Sequence, residues 1–128
     1  MYIIDSSVYC ARFLYEDANH LKAKTLLEGI DGKIYIPYIV FAETVTVLTY
    51  KHSKERANEF TDFILSDRRF VLIEADISSE IAFWRSIDKN LGYVDITLSY
   101  VALKFNAELL TFDDAMMKLY LKFLEYRT

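Results

Sequence analysis

The chain has 128 residues, of which 53% are hydrophobic and 16% aromatic, and this composition excludes an intrinsically disordered protein. The length fits one domain and is too short for two ordinary ones. The formal net charge of −4 comes from 19 acidic and 15 basic residues, so the chain lacks the overall basic field that many nucleic-acid-binding proteins use.

Short apolar runs alternate with helical patterns along the whole chain. In chain order, the predicted elements are a strand at 2–4, helices at 6–15 and 19–28, a strand at 34–36, helices at 40–50 and 53–65, a strand at 70–73, helices at 78–90 and 93–105, a strand at 109–111, a helix at 113–120 and a last short strand at 122–126. Serines at several helix starts, such as Ser6, Ser7 and Ser53, are natural N-caps.

This alternation predicts the fold class. Apolar strands that do not alternate with polar residues are typical of a parallel sheet buried on both faces. We therefore expect an α/β protein, a three-layer α/β/α sandwich with a short, mainly parallel central sheet, formed by one domain over residues 1–128.

Three features favour a cytoplasmic protein. Cys10 is the only cysteine, so no disulfide forms within the chain, as in a reducing compartment. The start Met-Tyr-Ile-Ile-Asp has no basic segment and reaches a charge at residue five, unlike a signal peptide. No uninterrupted apolar run approaches 18 residues, so no membrane span is predicted.

Four acidic residues stand in apolar surroundings in separate parts of the chain. They are Asp5 after Met-Tyr-Ile-Ile, Glu43 in Val-Phe-Ala-Glu-Thr-Val, Asp95 in Gly-Tyr-Val-Asp-Ile, and Asp113 in Leu-Leu-Thr-Phe-Asp. An unpaired carboxylate is costly to bury, so a shared partner is expected. With these four set aside, 15 acidic and 15 basic residues remain, so the four account for the whole negative balance.

The predicted fold brings the four acids toward one edge of the sheet. Asp5 and Asp113 follow strand-like runs, and sites in open parallel sheets form beyond the carboxyl ends of the strands. Carboxylates that lie close together repel one another unless they are protonated or bind cations. Oxygen ligands without His or Cys favour Mg²⁺ or Mn²⁺ over zinc. The sequence thus predicts a divalent-metal site, of the kind that supports phosphodiester cleavage.

Two local features have simpler interpretations as well. Asp5 and Asp113 stand where an aspartate can cap the helix that follows, an interaction worth about 1 kcal/mol. The small residues Ser99 and Ala102, one and two turns beyond Asp95, either leave space for a hydrated metal or serve tight helix packing. Both interpretations of this pair are open. A shared site remains the interpretation that covers all four acids.

The ordered motifs resemble those of the PIN domain, particularly the compact VapC-type toxins of bacterial and archaeal toxin–antitoxin pairs. The matching segments are Ile3-Ile4-Asp5-Ser6-Ser7-Val8, Phe41-Ala42-Glu43-Thr44, Asp95-Ile96-Thr97-Leu98-Ser99-Tyr100-Val101-Ala102 and Leu110-Thr111-Phe112-Asp113. Each segment alone is weak evidence. All four in order, over nearly the whole chain, make a specific pattern.

The resemblance implies an endoribonuclease that depends on Mg²⁺ or Mn²⁺. By motif position it assigns metal binding and catalysis to Asp5, Glu43, Asp95 and Asp113, and it gives Ser7 and Thr111 the role of hydrogen-bonding these ligands. Because the fourth motif reads Phe-Asp-Asp, Asp114 either shares or replaces the role of Asp113. The expected partners are an RNA substrate, a second copy of the chain through the early and middle helices, and an antitoxin that crosses the acidic groove. Two alternatives are a non-catalytic PIN-like module that binds RNA or protein, and a DNA-directed nuclease.

Several other residues were candidates for contacts with the substrate. Arg12 is the first, since it lies two turns beyond Asp5 on the same side of the predicted helix. Further candidates for phosphate contacts are Lys51, His52, Arg85, Lys89 and Lys118. Cys10 is predicted to be a small core residue, because no His is placed to activate it. Trp84 is predicted to make core or dimer contacts, and the sequence gives no support for its stacking on RNA bases.

Overall fold

The computed structural model describes residues 1–127, in which four short strands alternate with helices as the sequence predicted. The elements are β1 (Tyr2–Ile4), α1 (Ser6–Phe13), α2 (His20–Gly29), β2 (Ile34–Pro37), α3 (Tyr38–Lys51), α4 (Lys54–Ser66), β3 (Phe70–Ile73), α5 (Ile77–Ser86), α6 (Tyr93–Lys104), β4 (Glu108–Leu110) and α7 (Asp114–Arg127). None of the helices in this part of the chain is long and apolar enough to cross a bilayer.

The four strands form one parallel sheet in the order β3-β2-β1-β4. The chain starts in the middle at β1, moves outward through β2 to β3, and returns to place β4 on the other side of β1. Crossovers between parallel strands are right-handed in nearly all proteins. The outward and returning connections therefore put α1–α4 on one face and α5–α6 on the other, which confirms the predicted α/β/α layers.

The core lies on both sides of this sheet. Three neighbouring strands contribute fully buried residues to it, namely Ile3 and Ile4 of β1, Ile34 of β2 and Leu109 of β4. On the first helical layer, Tyr9 and Phe13 of α1 meet Phe60 of α4 with ring centroids 5.3 and 5.7 Å apart. Burial of such aromatic side chains supplies much of the stabilising apolar area, and it fixes the start of α1 directly after β1.

The reversal of strand order creates a crevice at the carboxyl ends of β1 and β4. Both strands end at the same edge because they run parallel, with Ile4 opposite Leu110. The next residue after β1 is Asp5, whose backbone N–H donates to the Leu110 carbonyl at 2.9 Å. Open α/β sheets bind ligands at such a switch point, so the fold places the first acidic motif where a site is expected.

The predicted serine caps of α1 are wrong. Asp5 occupies the N-cap position, its side chain makes no capping hydrogen bond, and Ser6 and Ser7 lie within the helix. The Ser7 hydroxyl instead donates to the Asp5 carboxylate at 2.9 Å. The prediction failed because a serine hydroxyl bonds equally well to a nearby carboxylate, which sequence spacing alone does not reveal.

The predicted bounds of α5 were also wrong at both ends. Asp76 caps this helix by accepting from the Ser79 backbone N–H at 3.4 Å, so α5 starts before the two serines chosen as its caps. It then ends at Ser86, and residues 87–92 connect it to α6.

The predicted last strand at 122–126 is wrong, since α7 continues through this segment. The segment reads Lys-Phe-Leu-Glu-Tyr, a short run that contains apolar and aromatic residues, as strands do. Met116, Tyr120 and Phe123 nevertheless follow helical spacing and are all buried. A continuous helical stripe buries this apolar surface, which an isolated three- to five-residue strand outside the sheet would leave exposed.

Candidate functional site

The Asp5 carboxylate is held in place by hydrogen bonds at the edge of the sheet where β1 and β4 end. Its Oδ2 atom accepts hydrogen bonds from the Ser7 hydroxyl at 2.9 Å and from the Thr111 hydroxyl at 2.7 Å. Ser7 belongs to α1 and Thr111 follows β4, so the carboxylate is held from both sides of the crevice. Both hydroxyls lie where the family resemblance implied, and together they orient the Oδ2 atom of this carboxylate.

The same two hydroxyls bind the loop that leads to α7. The Phe112 backbone N–H donates to Ser7 Oγ at 3.1 Å, and the Asp113 N–H donates to Thr111 Oγ1 at 3.0 Å. The predicted strand at 109–111 is therefore shifted by one residue, since β4 ends at Leu110 and Thr111 is free to turn toward Asp5. This network couples the position of Asp5 to that of Asp113.

Glu43 approaches the site from α3 and is linked to it through Ser6. The Ser6 hydroxyl donates to Glu43 Oε1 and also lies 3.5 Å from Asp5 Oδ1. Ser6 is buried, and its role was missed in the sequence, where it was predicted only as a helix cap. The signal that was available is its place beside Asp5 in the first motif.

Asp95 lies in the first turn of α6, exposed at the rim of the crevice. Partial removal from water raises the pKa of its carboxyl above the usual value. The negative charges of Asp113, Asp5 and Glu43 raise this pKa further, in that order. Each of the other three acids is thus near enough to act on Asp95, so the four predicted carboxylates form one electrostatic cluster.

The small residues beyond Asp95 serve helix packing. Ser99 and Ala102 are both fully buried, and the Ser99 hydroxyl donates to the Asp95 backbone carbonyl at 3.0 Å. They leave no open space beside the carboxylate. Of the two interpretations left open by the sequence, the packing one is therefore correct.

Asp113 has a capping role in addition to its place in the cluster. Its Oδ1 atom accepts from the N–H groups of Ala115 and Met116 at 2.9 and 3.2 Å, at the start of α7. The Oδ2 atom lies outside this cap. Asp114 is the exposed first residue of α7, and Asp113 rather than Asp114 acts on the pKa of Asp95. The geometry thus favours Asp113 as the fourth member.

Two other candidates from the sequence, Arg12 and Cys10, make no contribution to the acidic cluster that the structure shows. Arg12 is in the last turn of α1, with its guanidinium 5.0 Å from the Phe13 ring centroid, and it makes no ion pair with an acid among residues 1–125. Cys10 is half-buried. Burial raises the pKa of its thiol to about 12, and the Glu43 charge contributes to the increase, so the thiol stays protonated and is not a nucleophile.

The donor chemistry of the cluster fits Mg²⁺ or Mn²⁺. Its side chains offer carboxylate oxygens and hydroxyls, with no imidazole, and the one nearby thiol is protonated. Across residues 1–125, no three His, Cys, Asp or Glu side chains are close enough to ligate one ion together. This spacing does not suit an all-protein cage, whereas Mg²⁺ keeps several waters and takes one or two carboxylates directly.

The family is decided by a comparison of the sequence with models of protein families. The PIN domain model matches residues 2–121, nearly the whole chain. The chain belongs to the PIN domain family. The match contains all four acidic motifs, and it confirms the resemblance predicted from them.

Three solved structures share this PIN fold. VapC20 of Mycobacterium tuberculosis, a toxin that cleaves the sarcin–ricin loop, is 20% identical with a TM-score of 0.82, over 93% of this chain and 95% of that one. A toxin–antitoxin complex from Klebsiella pneumoniae is 22% identical with a TM-score of 0.63, over 88% and 87% of the two chains. VapBC2 from Rickettsia felis, bound to a promoter DNA fragment, is 19% identical with a TM-score of 0.66, over 91% of each chain. No significantly similar sequence was found among curated proteins.

Proposed function

We propose that this PIN-domain protein is an endoribonuclease that depends on Mg²⁺ or Mn²⁺ and acts as the toxin of a toxin–antitoxin pair. One observation carries the proposal: Asp5 is fixed at the β1/β4 switch point by Ser7 and Thr111, within a cluster that includes Asp113, Glu43 and Asp95. A negatively charged cluster repels RNA phosphates by itself, so it suits this substrate only when a cation is bound.

In this proposal the cluster of Asp5, Glu43, Asp95 and Asp113 would hold the cation, with one or two carboxylates as direct ligands and the others bonded to its waters. Bound Mg²⁺ or Mn²⁺ would supply a water of lowered pKa and neutralise charge on the phosphate oxygens. Ser7 and Thr111 orient Asp5, because both donate to the same oxygen and prevent rotation of the carboxylate. Ser6 orients Glu43 in the same way from the start of α1.

RNA is proposed as the substrate because VapC20, whose fold this chain shares, cleaves the sarcin–ricin loop. The toxin–antitoxin assemblies from Klebsiella pneumoniae and Rickettsia felis support an antitoxin partner. We further propose that residues 1–128 act as one domain, that the chain forms a homodimer through its early and middle helices, and that it acts in the cytoplasm, where its single cysteine stays reduced.

The proposal is tested by incubating the purified protein with end-labelled RNA in the presence of Mg²⁺, of Mn²⁺ and of EDTA. We expect discrete cleavage products with either metal and none with EDTA, while single-stranded DNA of the same sequence remains intact. Cleavage that continues in EDTA would remove the metal from the mechanism. Cleavage of DNA at the same rate would replace the ribonuclease with the DNA-directed alternative.

Replacing Thr111 with Val should lower cleavage by about 10- to 100-fold. The substitution keeps the shape of the side chain but removes the hydroxyl that donates to Asp5 and accepts from the Asp113 N–H. Loss of a hydrogen-bonding partner of a metal ligand typically has an effect of this size, and the lost hydrogen bonds should lower stability by about 1 kcal/mol. Initial rates and thermal melting measure the two effects.

Thr49→Val is the matched control, since the Thr49 hydroxyl is exposed and bonds only to the Val45 carbonyl in its own helix. This variant should cleave RNA at the wild-type rate. Equal rates for Thr111→Val and Thr49→Val would show that the Thr111 hydroxyl does not position the site.

A further inference from the structure

Trp84 is the only tryptophan of the chain, and it is partly exposed. It belongs to α5 and keeps 40% of its surface accessible. Its ring lies 5.9 Å from that of Tyr93, with the two planes at 56°. Of the two contacts predicted for Trp84, the core contact is therefore wrong and the dimer contact stays a prediction: the ring contacts Tyr93 and keeps part of its surface open to solvent.

The surface around Trp84 is a pocket with a positive balance. Its volume is about 490 Å³, and it is lined by Trp84, Arg85, Ile87, Asp88, Lys89 and Asn90. Arg85 and Lys89 are exposed and make no ion pair with an acid among residues 1–125. Asp88 is the one acidic residue of the lining, so two cations face one anion. This local charge opposes the negative balance of the whole chain and suits a phosphate backbone.

The pocket and the acidic cluster are connected by the start of α6. Tyr93 is the first residue of this helix and Asp95 the third, so both lie in its first turn. Two helix positions are about 3 Å apart along the axis and about 200° apart around it, so the two side chains face different sides of α6. An RNA strand that contacts both would therefore pass around the start of this helix.

We propose that Trp84, supported by Tyr93, is a stacking platform for one base of a single-stranded segment of the RNA, and that Arg85 and Lys89 contact phosphates of the same segment. Proteins recognise unpaired RNA by stacking its bases on aromatic side chains that cations flank. A base within a duplex does not expose its face for such stacking, so the platform selects loops and single strands. This inference rests on the proposed ribonuclease function and assigns to it residues that bind a base and its phosphates.

Trp84 fluorescence tests the contact directly, because no other tryptophan contributes to the signal. The probe is a 12-nucleotide single-stranded RNA, titrated in Mg²⁺ into the Asp5→Asn variant, which should cleave it more than about a hundredfold more slowly than the wild type. We expect saturable quenching that weakens with added salt. The same RNA annealed to its complement should quench severalfold less, and equal quenching by the duplex would overturn the preference for single strands.

Substitutions measured by anisotropy of a labelled RNA identify the residues. Trp84→Ala should bind about tenfold more weakly, and Trp84→Phe should stay within about twofold of the parent protein, because phenylalanine still stacks. The double variant Arg85→Ala/Lys89→Ala should lower the slope of log affinity against log salt by about 1.4, since each single-strand phosphate contact contributes about 0.7.

Matched controls come from exposed residues of the same types. Tyr50 is 86% exposed, and Lys54 and Arg68 are exposed basic residues. Tyr50→Ala and the double variant Lys54→Ala/Arg68→Ala should leave both affinity and salt slope unchanged. Melting temperatures identify a variant that fails to fold. If Trp84→Ala does not fold, the inference is tested by the affinity of Trp84→Phe for RNA and by the salt slope of the Arg85→Ala/Lys89→Ala variant.

The outcomes separate this inference from the proposed function. Unchanged RNA binding by Trp84→Ala, in a protein whose wild type cleaves RNA, overturns the platform and leaves the ribonuclease intact. Quenching of Trp84 by single-stranded RNA, with no cleavage by the wild type in Mg²⁺ or Mn²⁺, supports the platform and overturns the ribonuclease.

Discussion

Asp5→Asn should reduce RNA cleavage by more than about a hundredfold and leave the protein folded. Loss of a partner of a metal ligand costs 10- to 100-fold, so loss of a charged ligand itself should cost more. Asparagine has the shape of aspartate, and its side-chain oxygen can still accept from Ser7 and Thr111, which hold Asp5 at 2.9 and 2.7 Å. The expected defect is therefore in catalysis and not in structure.

The same substitution should not lower stability in the absence of metal. The charge of Asp5 raises the pKa of Asp95, which shows that the two carboxylates repel each other. Removing one negative charge relieves this repulsion, so the melting temperature in EDTA should equal or exceed that of the wild type. Rates of RNA cleavage and thermal melting, measured on the same preparation, check both halves of the prediction.

Asp62→Asn provides the control for Asp5→Asn. Asp62 is an exposed residue of α4, away from the cluster, and its substitution should leave cleavage within error of the wild type. An Asp5→Asn variant as active as Asp62→Asn would remove Asp5 from the active site.

The second large effect is expected at Arg69, where Arg69→Met should lower stability by about 2–3 kcal/mol. The guanidinium donates to the carbonyls of Leu27 and Ile30 at 2.6 and 2.8 Å and to the Asp67 carboxylate at 2.8 Å. It thereby ties the end of α2 to the start of β3. Methionine retains the apolar stem but leaves helix-terminal carbonyls without their donor, and charge-assisted hydrogen bonds contribute about 1.5–3 kcal/mol.

This loss should depend on pH in a defined direction. The neighbouring Arg69 holds the pKa of Asp67 below its ordinary value of 3.8. A carboxyl with a lowered folded-state pKa contributes stability above its unfolded pKa, and this contribution disappears as the pH falls through the folded value. The difference between wild type and Arg69→Met should therefore be largest near pH 7 and narrow below pH 3.8.

The adjacent Arg68 offers a matched control, because it is exposed and makes no hydrogen bond or ion pair that the described residues show. Arg68→Met should change stability by less than about 0.5 kcal/mol. In denaturant unfolding, a loss of 2 kcal/mol or more for Arg68→Met, or none for Arg69→Met, would contradict this account. Cleavage of RNA by folded Arg69→Met should remain near the wild-type rate, since the residue lies outside the acidic edge.

The sequence positions of the first four strands and of Asp5 were accessible from the sequence because they depend on local patterns. Strands such as Phe70–Ile73 are short apolar runs between charged residues, and β3 has the predicted bounds. Asp5 ends such a run, so its place at the sheet edge follows once the sheet is known to be parallel. The remaining acids were found through the order of the four motifs.

The contacts that arrange the site were less accessible, because they join residues far apart in sequence. Ser6 reaches Glu43 across 37 positions, and the pairing gives no periodic signal. The predicted strand at 122–126 shows a different failure, since this short segment contains apolar and aromatic residues while Met116, Tyr120 and Phe123 continue a helical stripe. Tertiary packing decided between the two patterns.

The exposure of Trp84 was also hidden in the sequence. Tryptophan is usually largely buried, whereas the structure leaves 40% of Trp84 exposed in α5, which ends at Ser86. The pocket between Trp84 and Lys89 depends on this early end of the helix.

The measurement that tests the central claim most directly is Mn²⁺ binding followed by electron paramagnetic resonance. Free Mn²⁺ gives a strong signal that decreases when the ion binds, and Mg²⁺ should restore the signal by competition. We predict binding to the wild type and to Asp62→Asn, and a loss of at least about tenfold in affinity for Asp5→Asn, since even outer partners of a ligand contribute 10- to 100-fold. A wild-type protein that cleaves RNA without binding Mn²⁺, or an Asp5→Asn variant that binds it as tightly as the wild type, would contradict the account.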